Sequence, residues 1–108
     1  SWQARSLVED ATSTFAEGLA TRTAFELPQQ ILWELLDDFV LVSDDALRAA
    51  TRLMISKTRN LVEPAGAAAL AAVLDAPDRF AGRTVAIVCS GGNISPAQLT
   101  ALWPSEPA

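Results

Sequence analysis

The feature that most constrains this chain is an uninterrupted apolar run at residues 84–89, bounded by a turn sequence and a pair of glycines. Such a run predicts a strand in the middle of a parallel sheet, covered on both faces. A shorter run at residues 39–42 predicts a second buried strand. Each needs hydrogen-bonded neighbours on both sides, because its N–H and C=O groups cannot stay unpaired. Two strands cannot supply these neighbours, so we expect a fold that is incomplete on its own.

Helical patterns separate the two apolar runs. We expect one helix to begin at Pro28, where the missing N–H is tolerated, and to end near Asp37 and Asp38. A second helix should start after Ser43 as N-cap. The side of this helix that faces the core is expected to carry Leu47, Ala50, Met54 and Ile55. Its solvated basic face is expected to carry Arg48, Arg52, Lys57 and Arg59.

The second half of the chain predicts two more helices. One runs over residues 65–74, apolar nearly all round and therefore buried, and residues 75–78 end it. Residues 81–83 predict a turn before the long apolar run. The other helix follows Ser95-Pro96 and reaches Leu102, after which Trp103-Pro104 leads into a tail. The order helix, strand, helix, helix, strand indicates an α/β fold.

Composition excludes several classes of function. The 108 residues contain 8 Lys plus Arg and 13 Asp plus Glu, and a net charge of −5 argues against a nucleic-acid partner. A membrane partner is not expected, because the sequence has no apolar run of about 18 residues. The single cysteine, Cys89, suits the cytoplasm and is predicted to be an inert core thiol. The lack of histidine excludes His-based metal sites and Ser-His catalysis within this chain.

The strongest candidate site is the Ser90-Gly91-Gly92-Asn93 segment after the apolar run. Ligands of open α/β sheets bind beyond the carboxyl ends of strands, and paired glycines let a backbone approach a ligand closely. The Ser90 hydroxyl can donate to or accept from a ring nitrogen. A plain turn is the competing interpretation. Glu63 is the second candidate, either as a carboxylate stabilised by a helix dipole or as one near a ligand pocket.

Four motifs, at residues 15–22, 37–44, 63–68 and 89–93, carry a family resemblance. In this order and spacing they resemble the C-terminal third of threonine dehydratases and serine racemases, which are pyridoxal-phosphate enzymes with the tryptophan-synthase β-like fold. The resemblance implies a parallel or mixed sheet flanked by helices. It also implies that residues 1–108 are the C-terminal part of the catalytic domain, with no regulatory domain.

The resemblance assigns cofactor-binding roles to four residues. Ser90 matches the serine whose hydroxyl meets the pyridine nitrogen, and Glu63 matches the glutamate near that ring. Gly18 matches a glycine whose backbone lines the cofactor, although Glu17 here replaces the aspartate of the family's Asp-Gly pair. Gly91 belongs to the glycine pair beside Ser90, and Asn93 is expected to stabilise that turn.

The same resemblance implies that the catalytic groups lie elsewhere. The Schiff-base lysine, the phosphate-binding loop and the cation-binding carboxylates of the family all precede this region. Lys57, the only lysine of the chain, does not match the Schiff-base position. We therefore expect no catalytic residue and no metal ligand in these residues, and no activity from this chain alone.

The implied reaction is loss of the β-hydroxyl of threonine or serine, giving a 2-oxo acid and ammonia. The implied partners are this amino-acid substrate, the N-terminal remainder of the enzyme and further copies in a homo-oligomer. Serine racemase and hydroxyaspartate dehydratase share the same motifs and stay open as alternatives. So does a non-catalytic α/β module that associates with itself through unpaired strands.

Overall fold

A computed structural model describes residues 1–103 of the chain, so the tail predicted from Pro104 onward lies outside the described residues. Within these residues two 3₁₀ helices and five α-helices follow one another: the first 3₁₀ helix Glu17–Leu19, α1 Glu26–Leu35, α2 Asp44–Thr58, the second 3₁₀ helix Ala65–Ala67, α3 Ala68–Asp75, α4 Pro77–Phe80 and α5 Pro96–Leu102. No helix among them is long and apolar enough to cross a membrane.

The core lies where α2 packs against α3 and against the second 3₁₀ helix. The predicted cap of α2 is confirmed, because the Ser43 side chain accepts a hydrogen bond from the N–H of Ala46. Small side chains allow the helices to approach closely. The buried cluster comprises Ala16, Leu47, Ala50, Val62, Ala67 and Ala71, with Met54 and Ile55 packed against it.

Two arginines of α2 depart from the solvated face predicted for them. The Arg52 guanidinium donates to the backbone oxygen of Leu102 at 2.9 Å and so holds the end of α5. The Arg48 guanidinium lies 4.3 Å from the ring centroid of Phe15, a cation–π contact. The helical period placed these residues away from the core stripe, but segments distant in sequence cover that side of α2.

Helix α1 begins at Glu26, two residues before the predicted start, and ends before the two aspartates as expected. It buries no side chain completely. The chain's first residues hold its C-terminal end: the Trp2 indole donates to the backbone oxygen of Leu32 at 3.2 Å, and Arg5 donates to that of Trp33 at 2.8 Å. The bond from Arg5 satisfies a carbonyl in the last turn of the helix, whereas the Leu32 oxygen also accepts from the N–H of Leu36 at 3.0 Å.

An ion pair connects the segment after α1 to α4. Arg79 donates to Asp38 at 2.6 Å, and this hydrogen bond holds the pKa of the Asp38 carboxyl below its usual value. Both side chains are about half exposed, so water screens the attraction and the pair adds little stability.

The apolar stretch at residues 65–74 is less buried than predicted. Its first turn is 3₁₀, and within α3 only Ala71 is fully buried, whereas Leu74 is exposed. The predicted break and turn are confirmed, since α3 ends at Asp75 and Gly82 has a φ of 73°. The capping of α5 is also confirmed, because Ser95 and Gln98 form a reciprocal capping box.

Neither predicted strand forms within residues 1–103, which contain no strand at all. At residues 39–42 the Leu41 side chain is 89% exposed, and at residues 84–89 that of Val88 is 78% exposed. Cys89 is exposed as well, so the prediction of a core thiol is wrong for this chain. A strand exists only when a neighbouring backbone completes its hydrogen bonds, and the described residues contain no such neighbour.

The segment after the second apolar run lies directly against the start of the second 3₁₀ helix. The N–H of Glu63 donates to the backbone oxygen of Gly91 at 3.2 Å. A Cβ added at Gly66 would lie 2.7 Å from that same oxygen, and one added at Gly92 would lie 2.5 Å from the backbone oxygen of Leu61. Only glycine permits this approach of two backbones.

We expect Gly66→Ala to lower the free energy of unfolding by about 1–3 kcal/mol, because the new methyl group would collide with rigid backbone at Gly91. Helix propensity alone favours alanine over glycine, so the sign of the change tests the contact. Denaturant titration measures it, with Ala49→Ser on the exposed face of α2 as the control. An unchanged or raised stability would contradict the close approach.

We expect the 108-residue chain to self-associate through its exposed apolar segments, as unpaired strand edges and apolar patches commonly do. Sedimentation velocity should show a weight-average mass that rises with concentration. Leu41→Lys together with Val88→Lys should lower that mass without lowering stability, because both side chains are exposed. A wild-type chain that remains a stable monomer across the concentration series would count against this expectation.

Candidate functional site

Three of the four predicted site residues meet around one carboxylate. A Cβ added at Gly91 would overlap Oε1 of Glu63, and one added at Gly18 would lie 3.4 Å from its Oε2. The same Cβ at Gly18 would lie 2.7 Å from the Cβ of Ala65. The Glu63 side chain therefore fills the space between two glycines that are 73 residues apart in sequence.

Ser90, the fourth predicted residue, immediately precedes Gly91 and is exposed. Among the hydrogen bonds of residues 1–103, none involves its hydroxyl. Two backbone N–H groups hold the turn that follows: that of Asn93 donates to the side-chain Oε1 of Glu63 at 3.4 Å, and that of Ile94 donates to the backbone oxygen of Gly92 at 2.8 Å. The site thus presents one exposed hydroxyl on a backbone that its neighbours fix.

A contact that the sequence did not predict positions Gly18. The Asp44 carboxylate accepts from the Thr14 hydroxyl at 2.5 Å and from the N–H of Phe15 at 3.3 Å. These bonds attach the segment before the first 3₁₀ helix to the first turn of α2. The sequence placed Asp44 at a helix N-terminus, where a carboxylate is stabilised. Nothing in the pattern marked its partner thirty residues earlier.

The described residues also form two open grooves of about 550 Å³ each, away from this site. One lies beside the N-terminal segment and α1, and the other lies between Phe15, Arg48 and α5. Neither is lined by Ser90 or Glu63. At the candidate site Ser90 is exposed and Glu63 is partly buried. Lys57 is exposed on α2 and does not line either groove.

The sequence matches a known family over most of its length. Residues 1–91 match the model of the family described as pyridoxal-phosphate dependent enzyme. The L-threonine dehydratase catabolic TdcB of Escherichia coli strain K12 is 40% identical over 86 residues, covering 77% of this chain and 26% of that protein. The L-threo-3-hydroxyaspartate ammonia-lyase of a Pseudomonas species is 33% identical over 95 residues, covering 87% of this chain and 30% of that protein.

Solved structures extend the similarity to the fold. The T.th. threonine deaminase superimposes with a TM-score of 0.80 at 36% identity, covering 87% of this chain and 34% of that one. The serine racemase of Dictyostelium discoideum superimposes with a TM-score of 0.75 at 30% identity, covering 87% and 30%. The chain thus spans no more than about a third of the length of these relatives. These likenesses support the expected tryptophan-synthase β-like fold, and the chain belongs to the family of pyridoxal-phosphate dependent enzymes.

Proposed function

We propose that the chain is the C-terminal part of the catalytic domain of a threonine or serine ammonia-lyase. The observation that carries this proposal is the exposed hydroxyl of Ser90, which makes no hydrogen bond among residues 1–103. The backbone that follows it is fixed by contacts between Glu63 and Gly91. The similarity to a threonine dehydratase and a threonine deaminase supports the substrate class. In the whole enzyme, the β-hydroxyl of the amino acid would leave and the products would be a 2-oxo acid and ammonia.

The residues present fit pyridoxal phosphate. A ring nitrogen needs one hydrogen-bonding group at a fixed position, and Ser90 offers a hydroxyl without a partner among residues 1–103. The Glu63 side chain fills the space between Gly18 and Gly91, and this packing fixes the backbone that follows Ser90. When bound, the cofactor supplies an electron-withdrawing ring that stabilises negative charge at the α-carbon of an amino acid.

We infer that Ser90 tunes this ring through its lack of charge. A carboxylate at that place would favour protonation of the nitrogen, whereas a neutral hydroxyl stabilises the protonated ring less. A less electron-withdrawing ring allows loss of the β-hydroxyl to compete well with other outcomes. The backbone around Glu63 and Gly91 holds this hydroxyl in place.

The exposed apolar segments support a proposal about the partner that completes the site. We propose that residues 39–42 and 84–89 become strands when the N-terminal remainder of the enzyme supplies their neighbours. That remainder would also bring the Schiff-base lysine, since Lys57 is the only lysine here and lies on the exposed side of α2. Assembly into a homo-oligomer and location in the cytoplasm stay predictions.

A second candidate function rests on specific relatives. The similarity to a serine racemase and to an L-threo-3-hydroxyaspartate ammonia-lyase favours a racemase or a hydroxyaspartate dehydratase as the alternative. The candidate site would serve these reactions equally, because in this proposal Ser90 would contact the ring and not the substrate side chain. Assay of the whole enzyme with several hydroxy amino acids distinguishes them.

We expect the whole enzyme to release a 2-oxo acid from threonine or serine, and the 108-residue chain alone to release none. The chain alone lacks a lysine at the matching position and the phosphate-binding loop that the resemblance implies. Coupled measurement of 2-oxobutanoate and pyruvate tests both statements, with 3-hydroxyaspartate and racemisation assays in parallel. Production of 2-oxobutanoate by the purified 108-residue chain would refute the second statement.

We expect Ser90→Ala in the whole enzyme to lower the rate by up to about 10²-fold, because a hydrogen bond to developing charge is lost. Ser90→Asp should place negative charge at the ring, raise the pKa of its nitrogen and shift products away from the 2-oxo acid. Absorption spectra of the bound cofactor and product ratios measure both effects, with exposed Ser56→Ala on α2 as the control. Unaltered spectra and ratios in both Ser90 variants would remove Ser90 from the cofactor site.

A further inference from the structure

We propose that Glu63 is a positioning residue, whose shape and hydrogen-bond acceptor, and not its negative charge, hold the backbone that carries the Ser90 hydroxyl. This inference rests on the proposed function, because it assigns Glu63 a task in presenting Ser90 to the cofactor ring. It differs from the role implied by the family resemblance, in which Glu63 is a carboxylate near the ring.

Both oxygens of the Glu63 carboxylate already face protein. A methyl group at Gly91 would overlap Oε1, and one at Gly18 would lie 3.4 Å from Oε2. These distances leave no space for a ligand ring between the carboxylate and either glycine. The side chain therefore acts as a spacer between the first 3₁₀ helix and the segment that follows residue 89.

Glu63 also contacts that segment through two hydrogen bonds. Its N–H donates to the oxygen of Gly91 at 3.2 Å, and its Oε1 accepts from the N–H of Asn93 at 3.4 Å. Ser90 immediately precedes Gly91, so these contacts fix the peptide from which its hydroxyl projects. The second bond is long and hence weak, so packing between the glycines contributes more than hydrogen bonding.

Spacing and charge make opposite demands on a replacement at this position. Glutamine has the length of glutamate and keeps an oxygen that accepts from Asn93, but it carries no charge. Aspartate keeps the charge, but one methylene less withdraws its carboxylate from the space between Gly18 and Gly91. A spacer therefore tolerates Glu63→Gln and not Glu63→Asp, whereas a charge acting on the ring tolerates the reverse.

The test compares Glu63→Gln and Glu63→Asp in the whole enzyme. We expect Glu63→Gln to bind pyridoxal phosphate within about twofold of wild type, and Glu63→Asp to bind it about tenfold more weakly, the size of one lost contact. Amide hydrogen exchange at residues 90–93 of the cofactor-free enzyme should be faster in Glu63→Asp and unchanged in Glu63→Gln. If the Glu63→Asp enzyme fails to fold and the Glu63→Gln enzyme folds, aspartate is again the more damaging replacement, and the result supports the inference.

The reverse order, or equal effects of both substitutions, would overturn the inference. Ser90→Ala serves as the matched control, because it should weaken cofactor binding while leaving the exchange rates at residues 91–93 unchanged. A wild-type enzyme that binds no pyridoxal phosphate would instead refute the proposed function. In that case the exchange rates alone decide whether Glu63 holds this segment.

Discussion

The close approach of two backbones at Gly66 and Gly91 is the constraint on which the candidate site depends. A side chain at Gly66 would meet the oxygen and nitrogen of Gly91 at 2.7 and 3.1 Å. This contact brings the segment after residue 89 onto the second 3₁₀ helix, and Glu63 then lies between that segment and Gly18. Without glycines at these places, the backbone that follows Ser90 could not lie against residues 63–66.

Small side chains also permit close packing in the core. Ala50, Ala67 and Ala71 are completely buried, and their size lets α2 pack closely on α3. The sequence predicted an apolar helix at residues 65–74, but it predicted burial on every side. In the structure only Ala71 of α3 is fully buried, because the elements formed by residues 1–103 do not surround this helix. Leu74 is accordingly 45% exposed.

The two apolar runs show how far local pattern determines structure. Their composition is that of buried strands, yet residues 39–42 and 84–89 form no ladder within residues 1–103. A helix satisfies its own backbone, so α2 and α5 form from local signals such as Ser43 and Ser95. A strand forms only when a second backbone completes its hydrogen bonds, so an apolar run predicts a strand only where another segment lies beside it. Leu41 and Val88 are exposed because residues 1–103 contain no neighbouring strand to pair with their segments.

The sequence by itself determined the caps at Ser43 and Ser95 and the breaks at Asp75 and Gly82, and it predicted the candidate residues Gly18, Glu63, Ser90 and Gly91. Each of these follows from residue chemistry within a few positions or from a motif. Only the tertiary structure decided that Glu63 fits between Gly18 and Gly91, that Asp44 holds the segment at Thr14, and that Arg52 binds the end of α5. These contacts join residues about thirty or more positions apart, and their geometry depends on how the helices pack, which no local pattern specifies.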